Sequence, residues 1–318
     1  MKTPEIWSYL IHLGYNMWLD KYSAVARPGE PGYGFSAYSE TLLTDEKVWD
    51  EVIRFLPAQG INTVLIDLGE GVVYESHPEL AIKGSWPKEK LLRKLDEIRA
   101  LGMEPIPKMN FSACHDAWLQ EHSHRLSTPE YHAVVRELID EVCELFGHPR
   151  LFHLGMDEED AYSQQFSSYA VIRGEYHWWN DLYKMIDCVE RNGARPWVWS
   201  DYYWAHPEIF KKKMPREVLQ SNWEYIDDVR NEDGSYILSF QTYLDLDELG
   251  YDQVPTSSTY CSLLNTGYTV RFGRENLSGE HLAGFMTAPW LSSTPDKKAA
   301  LLKDAAVLGE AKKSVYGE

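Results

Sequence analysis

The chain has 318 residues, 44% of them hydrophobic, enough for a full core in one large domain or two small ones. Its 31 Lys and Arg against 49 Asp and Glu leave a formal charge of −18, which argues against nucleic acid or an anionic membrane as partner. The widely spaced Cys114, Cys143, Cys188 and Cys261 read as reduced, mostly buried thiols. With no signal-peptide core in Met1-Lys2-Thr3-Pro4-Glu5 and no apolar run of about 18 residues, a soluble, cytoplasmic protein is expected.

A strand-like run recurs along the chain, each followed by a helix-like run. The first strand is expected over residues 9–16 and is followed by a helix over 45–56, with apolar residues at Val48, Val52, Ile53 and Leu56. The second strand (62–68) leads to a helix over 88–101, closed by Gly102. The third (104–110) leads to a helix over 129–146, opened by Ser127 or Thr128 as N-cap. The fourth (151–157) precedes a helix over 174–191. The fifth, sixth, seventh and eighth strands are expected over 195–201, 218–224, 253–260 and 282–290. Shorter helices over 206–213, 244–249 and 269–276 lie between them, and a helix over 297–315 closes the chain. Eight such units predict an α/β fold, a single (β/α)8 TIM barrel over residues 1–318. A doubly wound open sheet is the alternative, but no GxGxxG follows an early strand.

Barrels of this kind carry their chemistry at the C-terminal ends of the strands. Polar and aromatic residues concentrate there: Asn110 with His115 and Asp116 after the third strand, Trp199 and Asp201 on the fifth, Asn222, Trp223 and Glu224 on the sixth, Tyr260 on the seventh, and Trp290 on the eighth. The fourth strand runs through Phe152-His153-Leu154-Gly155-Met156-Asp157-Glu158-Glu159 and ends in adjacent carboxylates. Like charges held together push one pKa up, a split that enzymes use to keep one acid protonated and one ionised. Alternation puts His153, Gly155 and Asp157 on one face and Leu154 and Met156 toward the helices. Glu158 then reaches over the rim, and Glu159 reads as a bystander.

A protonated acid at the leaving oxygen and a second group stabilising charge at the anomeric carbon would suit glycoside cleavage. Trp199, Trp223 and Trp290 make a sugar-stacking wall. Asp201, Glu224 and Asn222 are candidates to bond hydroxyls, and His115 is placed to bridge a carboxylate. The expected partner is a carbohydrate substrate, with no cofactor and no metal. The oligomeric state stays open.

His153-Leu154-Gly155-Met156-Asp157-Glu158 resembles the His-x-Gly-Gly-Asp-Glu motif of family 20 glycoside hydrolases, the β-N-acetylhexosaminidases. Gly102-Met103-Glu104-Pro105-Ile106-Pro107, Pro196-Trp197-Val198-Trp199-Ser200-Asp201, Gly250-Tyr251-Asp252 and Ala283-Gly284 are similar to further segments of that family. The resemblance implies an exo-acting, retaining mechanism in which the substrate's own 2-acetamido oxygen attacks the anomeric carbon. It implies that Asp157 orients the acetamido group and that Glu158 is the acid and then the base. It also implies that Tyr260 bonds the acetamido oxygen and that the three tryptophans line its pocket. No protein nucleophile is then needed, and the seventh strand carries no carboxylate. Met156 stands where the family has its second glycine. Leu13-Gly14-Tyr15-Asn16 lacks the family's arginine, and Pro107-Lys108-Met109-Asn110 replaces Pro-Glu-x-Asp. His115 falls one residue later than the family histidine, and no small domain is expected before the barrel.

Two other readings compete. One is a metal-dependent isomerase or hydrolase using His115, His153, Asp157 and a further carboxylate, though there is no HExxH and no His-x-His on the first strand. The other is a catalytically silent carbohydrate-binding barrel.

Overall fold

The computed structural model describes residues 5–24, 26–27 and 36–317. Residues 1–4, on which part of the N-terminal reading rests, lie outside that set. Strands and helices alternate in the order β1 (Ile6–His12), α1 (Glu46–Phe55), β2 (Thr63–Asp67), α2 (Lys88–Ala100), β3 (Glu104–Lys108), α3 (Pro129–Leu145), β4 (Leu151–His153) and α4 (Glu175–Arg191). Then come β5 (Arg195–Trp199), α5 (Tyr202–Ala205), α6 (Pro207–Lys213), β6 (Leu219–Ser221), α7 (Leu238–Glu248), β7 (Thr256–Ser257), α8 (Asn265–Asn276), β8 (Gly284–Thr287) and α9 (Lys298–Tyr316). The strands form one parallel sheet in the order β6-β5-β4-β3-β2-β1-β8-β7. Parallel bridges Gln220–Gln253 and Trp223–Thr256 join β6 to β7 and close the barrel. The (β/α)8 architecture expected from the alternation is therefore the one observed. Among the described residues, no helix is long and apolar enough to cross a membrane.

The helix ends follow local chemistry. Asp45 caps α1 by accepting from the Lys47 and Val48 amides, and Thr128 caps α3, with Pro129 at its first position. Gly102 follows α2 at φ 78°, the left-handed turn that glycine adopts without steric cost.

Alternation along the strands makes two apolar layers. Trp7, Tyr9, Ile11, Val64, Ile66, Phe152, Leu154 and Met156 pack with the helices. Ile6, Leu10, Leu65, Ile106, Leu151, Trp197, Leu219 and Met286 fill the barrel. Toward the C-terminal end of the strands the filling turns polar. Register aligns His12 with Asp67, Asp67 with Lys108, and Lys108 with His153. Lys108 Nζ donates to Asp67 Oδ2 at 2.5 Å, and His12 Nδ1 stands 3.4 Å from the same oxygen. Burial alone would raise the Asp67 carboxyl, but the Lys108 ammonium and His12 outweigh it and hold it at about 2. Burial pushes the His12 and His153 imidazoles down. This layer is the floor on which the loops above rest.

Several boundaries differ from the pattern-based ones. The first strand ends at His12 rather than continuing to 16, because the Leu13 and Gly14 amides both turn to Asp67 O and the Tyr15 and Asn16 amides bond Glu70. The fourth strand ends at His153, where the backbone turns left-handed at Gly155 and Met156, φ 75° and 76°. Helices α7 and α8 begin earlier than expected, at Leu238 and Asn265.

Lys108 is fully buried, and removing one partner of a buried pair leaves an uncompensated charge. Lys108→Met is expected to lose about 3–5 kcal/mol in urea denaturation. A loss below about 1 kcal/mol would show that Asp67 does not depend on that ammonium.

Candidate active site

A cleft of about 790 Å³ opens at the C-terminal ends of the strands. Its position follows from the break after β4. Gly155 packs against Asn110 so closely that a Cβ there would collide with the Asn110 side chain. The chain therefore leaves the sheet at a residue that only glycine can occupy, and Met156 and Glu158 also take positive φ, 76° and 53°. Left-handed backbone costs roughly 1–2 kcal/mol at a non-glycine residue and persists only where its surroundings impose it.

Those surroundings are buried ion pairs and hydrogen bonds. Arg173, immediately before α4, donates to Glu159 Oε1, to the Phe111 carbonyl at 2.8 Å, and from Nη1 to Asp181 Oδ2 at 3.3 Å. The side chains of Arg173 and Glu159 are 1% and 3% exposed. Glu159 Oε1 also accepts from the Ala113 amide at 2.8 Å. Asp181 in turn accepts from Ser127 Oγ at 2.6 Å and faces His132 Nε2 at 2.7 Å. Glu159 is thus an anchor of the loop rather than a bystander. On the other side, Ser112 Oγ donates to the Asp157 carbonyl and Asn110 Nδ2 to Asp157 Oδ1 at 2.9 Å.

Held in this way, Asp157 and Glu158 converge on His115. Its Nε2 lies 3.3 Å from Asp157 Oδ2 and 3.0 Å from Glu158 Oε2. Burial would lower the imidazole pKa, but the charges of Asp157 and Glu158 outweigh it and raise it to about 9. Burial would raise Glu158, and the His115 bond and charge outweigh that and lower it. Asp157 is raised, first by burial and then by Glu158. Asp201 Oδ2 accepts from the Glu158 amide at 2.7 Å, and Oδ1 from Trp223 Nε1 at 3.3 Å. Burial and then the Asp157 charge push Asp201 up to about 8. Burial thus works against the charge on both Asp157 and Asp201, while the His115 contact favours it on Glu158.

The aromatic wall is larger than the three expected tryptophans. Trp199 lies 4.6 Å from His153 and 5.8 Å from Trp290, centroid to centroid. Trp18 stands 6.4 Å from Trp290 and 5.0 Å from His115. Tyr225 stacks on Trp223 at 5.2 Å and lies 6.3 Å from Trp290, while Trp204 backs Trp223 at 4.8 Å. The buried Trp199 indole N–H has no acceptor among the described residues. Trp18, Trp204 and Tyr225 were not singled out from the sequence, although each lies a few residues beyond a strand end.

His115, Asp157, Glu158, Trp199, Asp201, Trp223, Glu224, Tyr260 and Trp290 all line the cleft. Glu224 is occupied there: its Oε1 accepts from the Tyr225 and Ile226 amides and its Oε2 from Ser239 Oγ. Tyr260 is 66% exposed and sits at the lip. His153 and Asn222 are not among the lining residues. His153 is sealed under Trp199, its Nδ1 accepting from the Gly155 amide. Asn222 accepts from Trp204 Nε1 and donates to the Ser239 carbonyl. Among the described lining residues there is no lysine or arginine. Where an arginine was missing after the first strand, Gly14 packs on the Leu68 carbonyl and the buried Glu70. Burial raises Glu70 to about 7.

No protein-family profile and no curated protein matches the sequence. Solved structures do match. The chain superposes on Flavobacterium johnsoniae chitobiase with a TM-score of 0.56 at 18% identity, covering 86% of this chain and 49% of that one. It superposes on Vibrio harveyi GH20 exo-β-N-acetylglucosaminidase in complex with N-acetylglucosamine at TM-score 0.63 and 12% identity, covering 95% and 54%. Dispersin B gives 0.57 at 12%, covering 86% and 95%. The chain spans about half the length of the first two and nearly all of the third. At these identities the likeness is one of fold: the chain is a divergent barrel resembling those of family 20 glycoside hydrolases.

Among the buried groups that hold protons more tightly folded than unfolded are Glu70 (4.5 to about 7), Asp201 (3.8 to about 8) and His115 (6.5 to about 9), whereas burial makes His12 and His153 hold theirs less tightly. The stability that Glu70, Asp201 and His115 contribute is complete below their unfolded values and is lost as pH rises through the folded ones. Glu70→Gln is expected to remove the part lost between about pH 4.5 and 7, and the thermal midpoint of the parent is expected to fall between pH 7 and pH 9, where the histidines pushed down by burial no longer titrate in the unfolded chain. A midpoint that rises over this range would contradict these proton assignments.

Proposed function

We propose that the protein is an exo-acting glycoside hydrolase that uses the Asp157–Glu158 pair with assistance from the 2-acetamido group of its substrate. The observation that carries this reading is the pair itself, bridged by His115 and facing an aromatic wall in one cleft. An aromatic wall stacks on the apolar face of a pyranose. Asp157, held by Asn110 and His115, receives the acetamido N–H and aims its oxygen at the anomeric carbon. Tyr225, between Trp223 and Trp290, is better placed than the lip residue Tyr260 to bond that oxygen.

The leaving-group proton comes from the His115–Glu158 pair. A sugar that displaces water removes the solvation of this ion pair, and in a drier site the neutral pair is favoured. The proton crosses the 3.0 Å from Nε2 to Oε2 and then reaches the glycosidic oxygen. Glu158 afterwards takes a proton from the incoming water. With six carboxylates and no lysine or arginine among the lining residues, the cleft disfavours sugars that carry carboxylate, phosphate or sulfate.

The metal-dependent reading draws no support from the geometry. His153 is sealed beneath the cleft, and among the described residues His115, His153 and Asp157 do not form a group whose ligand atoms converge.

The test is turnover of an aryl 2-acetamido-2-deoxy-β-glucoside. Glu158→Gln is expected to lose about 10²–10⁴-fold in kcat, the usual worth of a general acid. Asp201→Asn, which keeps one oxygen to accept from the Glu158 amide, is expected to stay within about tenfold of the parent at pH 7. A collapse of Asp201→Asn with Glu158→Gln unaffected would instead make Asp201 the essential carboxylate. No turnover by the parent would favour a silent binding barrel.

A further inference from the structure

Outside the cleft, a second cluster of ligand-type side chains joins the loop after β2 to the segment after β3. His77 Nδ1 lies 2.9 Å from Glu79 Oε1, and His122 Nε2 lies 3.0 Å from the same oxygen. The three ligand atoms all fall within 4.8 Å of one another. Across the His77 ring, Nε2 faces Glu137 Oε2 of α3 at 3.2 Å.

We propose that His77, Glu79 and His122 bind one divalent transition-metal ion, zinc being the best match. Two imidazole nitrogens and one carboxylate oxygen are a donor set suited to zinc, which leaves a fourth position for water. Zinc ligands at about 2.0–2.2 Å in a tetrahedral array stand roughly 3.4 Å apart. The observed spacing needs to open by only a few tenths of an ångström, and Glu79, half exposed, is free to supply that movement.

The Glu137 contact is the second, independent observation. A metal-bound histidine almost always donates its other N–H to a carboxylate or carbonyl, which fixes the tautomer and aims the free lone pair at the metal. Glu137 does this for His77: with the proton on Nε2, the Nδ1 lone pair faces Glu79 and His122. Without an ion, Glu79 Oε1 stands between two imidazole rings. His77 is 8% exposed, so its ring is oriented by packing, while exposed Glu79 leaves a path for entry.

The ion would also bear on the cleft. His122 lies in the 3-10 segment Ala117–Arg125, which starts two residues after His115. Gln120 already ties that segment to the Glu79 and Leu80 carbonyls at 3.1 and 3.2 Å. A metal would bolt together the two loops beside the His115 wall and act as a positioning device.

The proposal does not depend on the glycosidase reading. Its test is calorimetric titration of the chelator-treated full chain with zinc chloride, together with metal analysis of the purified protein and the zinc-induced shift in Tm. One equivalent is expected to bind and to raise Tm. His122→Ala and Glu79→Gln are each expected to weaken binding at least 100-fold and to abolish the Tm shift. Glu137→Gln is expected to weaken binding about 10–100-fold, and Glu158→Gln to leave it unchanged. Absence of stoichiometric binding by the parent would overturn the proposal. So would binding that survives both His122→Ala and Glu79→Gln, or that is lost in Glu158→Gln.

Discussion

The site depends on one buried contact, that of Arg173 with Glu159. It holds the loop after β4 in a backbone path that the chain would not otherwise take. Three residues between 155 and 158 have positive φ, two of them not glycine. That path carries Asp157 and Glu158 off the sheet and over the polar floor of Lys108 and His153. Arg173 reaches from the start of α4 to Glu159, Asp181 and the Phe111 carbonyl, so it couples the loop after β3, the loop after β4 and α4 in one charged network. A buried arginine with several acceptors offsets its desolvation; with any one removed, the remaining charges are stranded.

The same network sets the electrostatics of the cleft. Because Glu159 is neutralised by Arg173, it adds less repulsion to its two neighbours. Asp157 and Glu158 then face His115, and the Lys108 ammonium below also favours the charge on Asp157. Three carboxyls around one imidazole cannot all be ionised cheaply, and burial raises both Asp157 and Asp201. The result is a site in which the imidazole favours the charge on Glu158 while burial disfavours it on Asp157 and Asp201.

Much of the fold could be read from the sequence because it depends on local pattern. The alternation of strand-like and helix-like runs, the Thr128 and Gly102 caps, and the carboxylates at the fourth strand end all survive in the structure. What could not be read depends on contacts distant in sequence. The first strand stops at His12 because Asp67 and Glu70, more than fifty residues away, capture the following amides. Glu159 looks solvated until Arg173 arrives from the α4 side. His153 and Asn222 carry site-like chemistry at site-like positions, yet neighbouring rings and carbonyls consume it. Tyr225, Trp18 and Trp204 were missed because nothing local separates a cleft aromatic from a core one.

The central claim is that the nucleophile belongs to the substrate, since β7 offers no carboxylate and Glu224 is tied to Ser239 and to the amides of its own loop. The most direct measurement compares kcat/KM for two aryl β-glucosides that differ only at carbon 2, one bearing acetamido and the other hydroxyl. Intramolecular attack is worth many orders of magnitude in effective concentration, so the acetamido compound is expected to be cleaved at least about 10³-fold faster. Equal rates, or cleavage of the hydroxyl compound alone, would contradict the account and require a nucleophile from the protein.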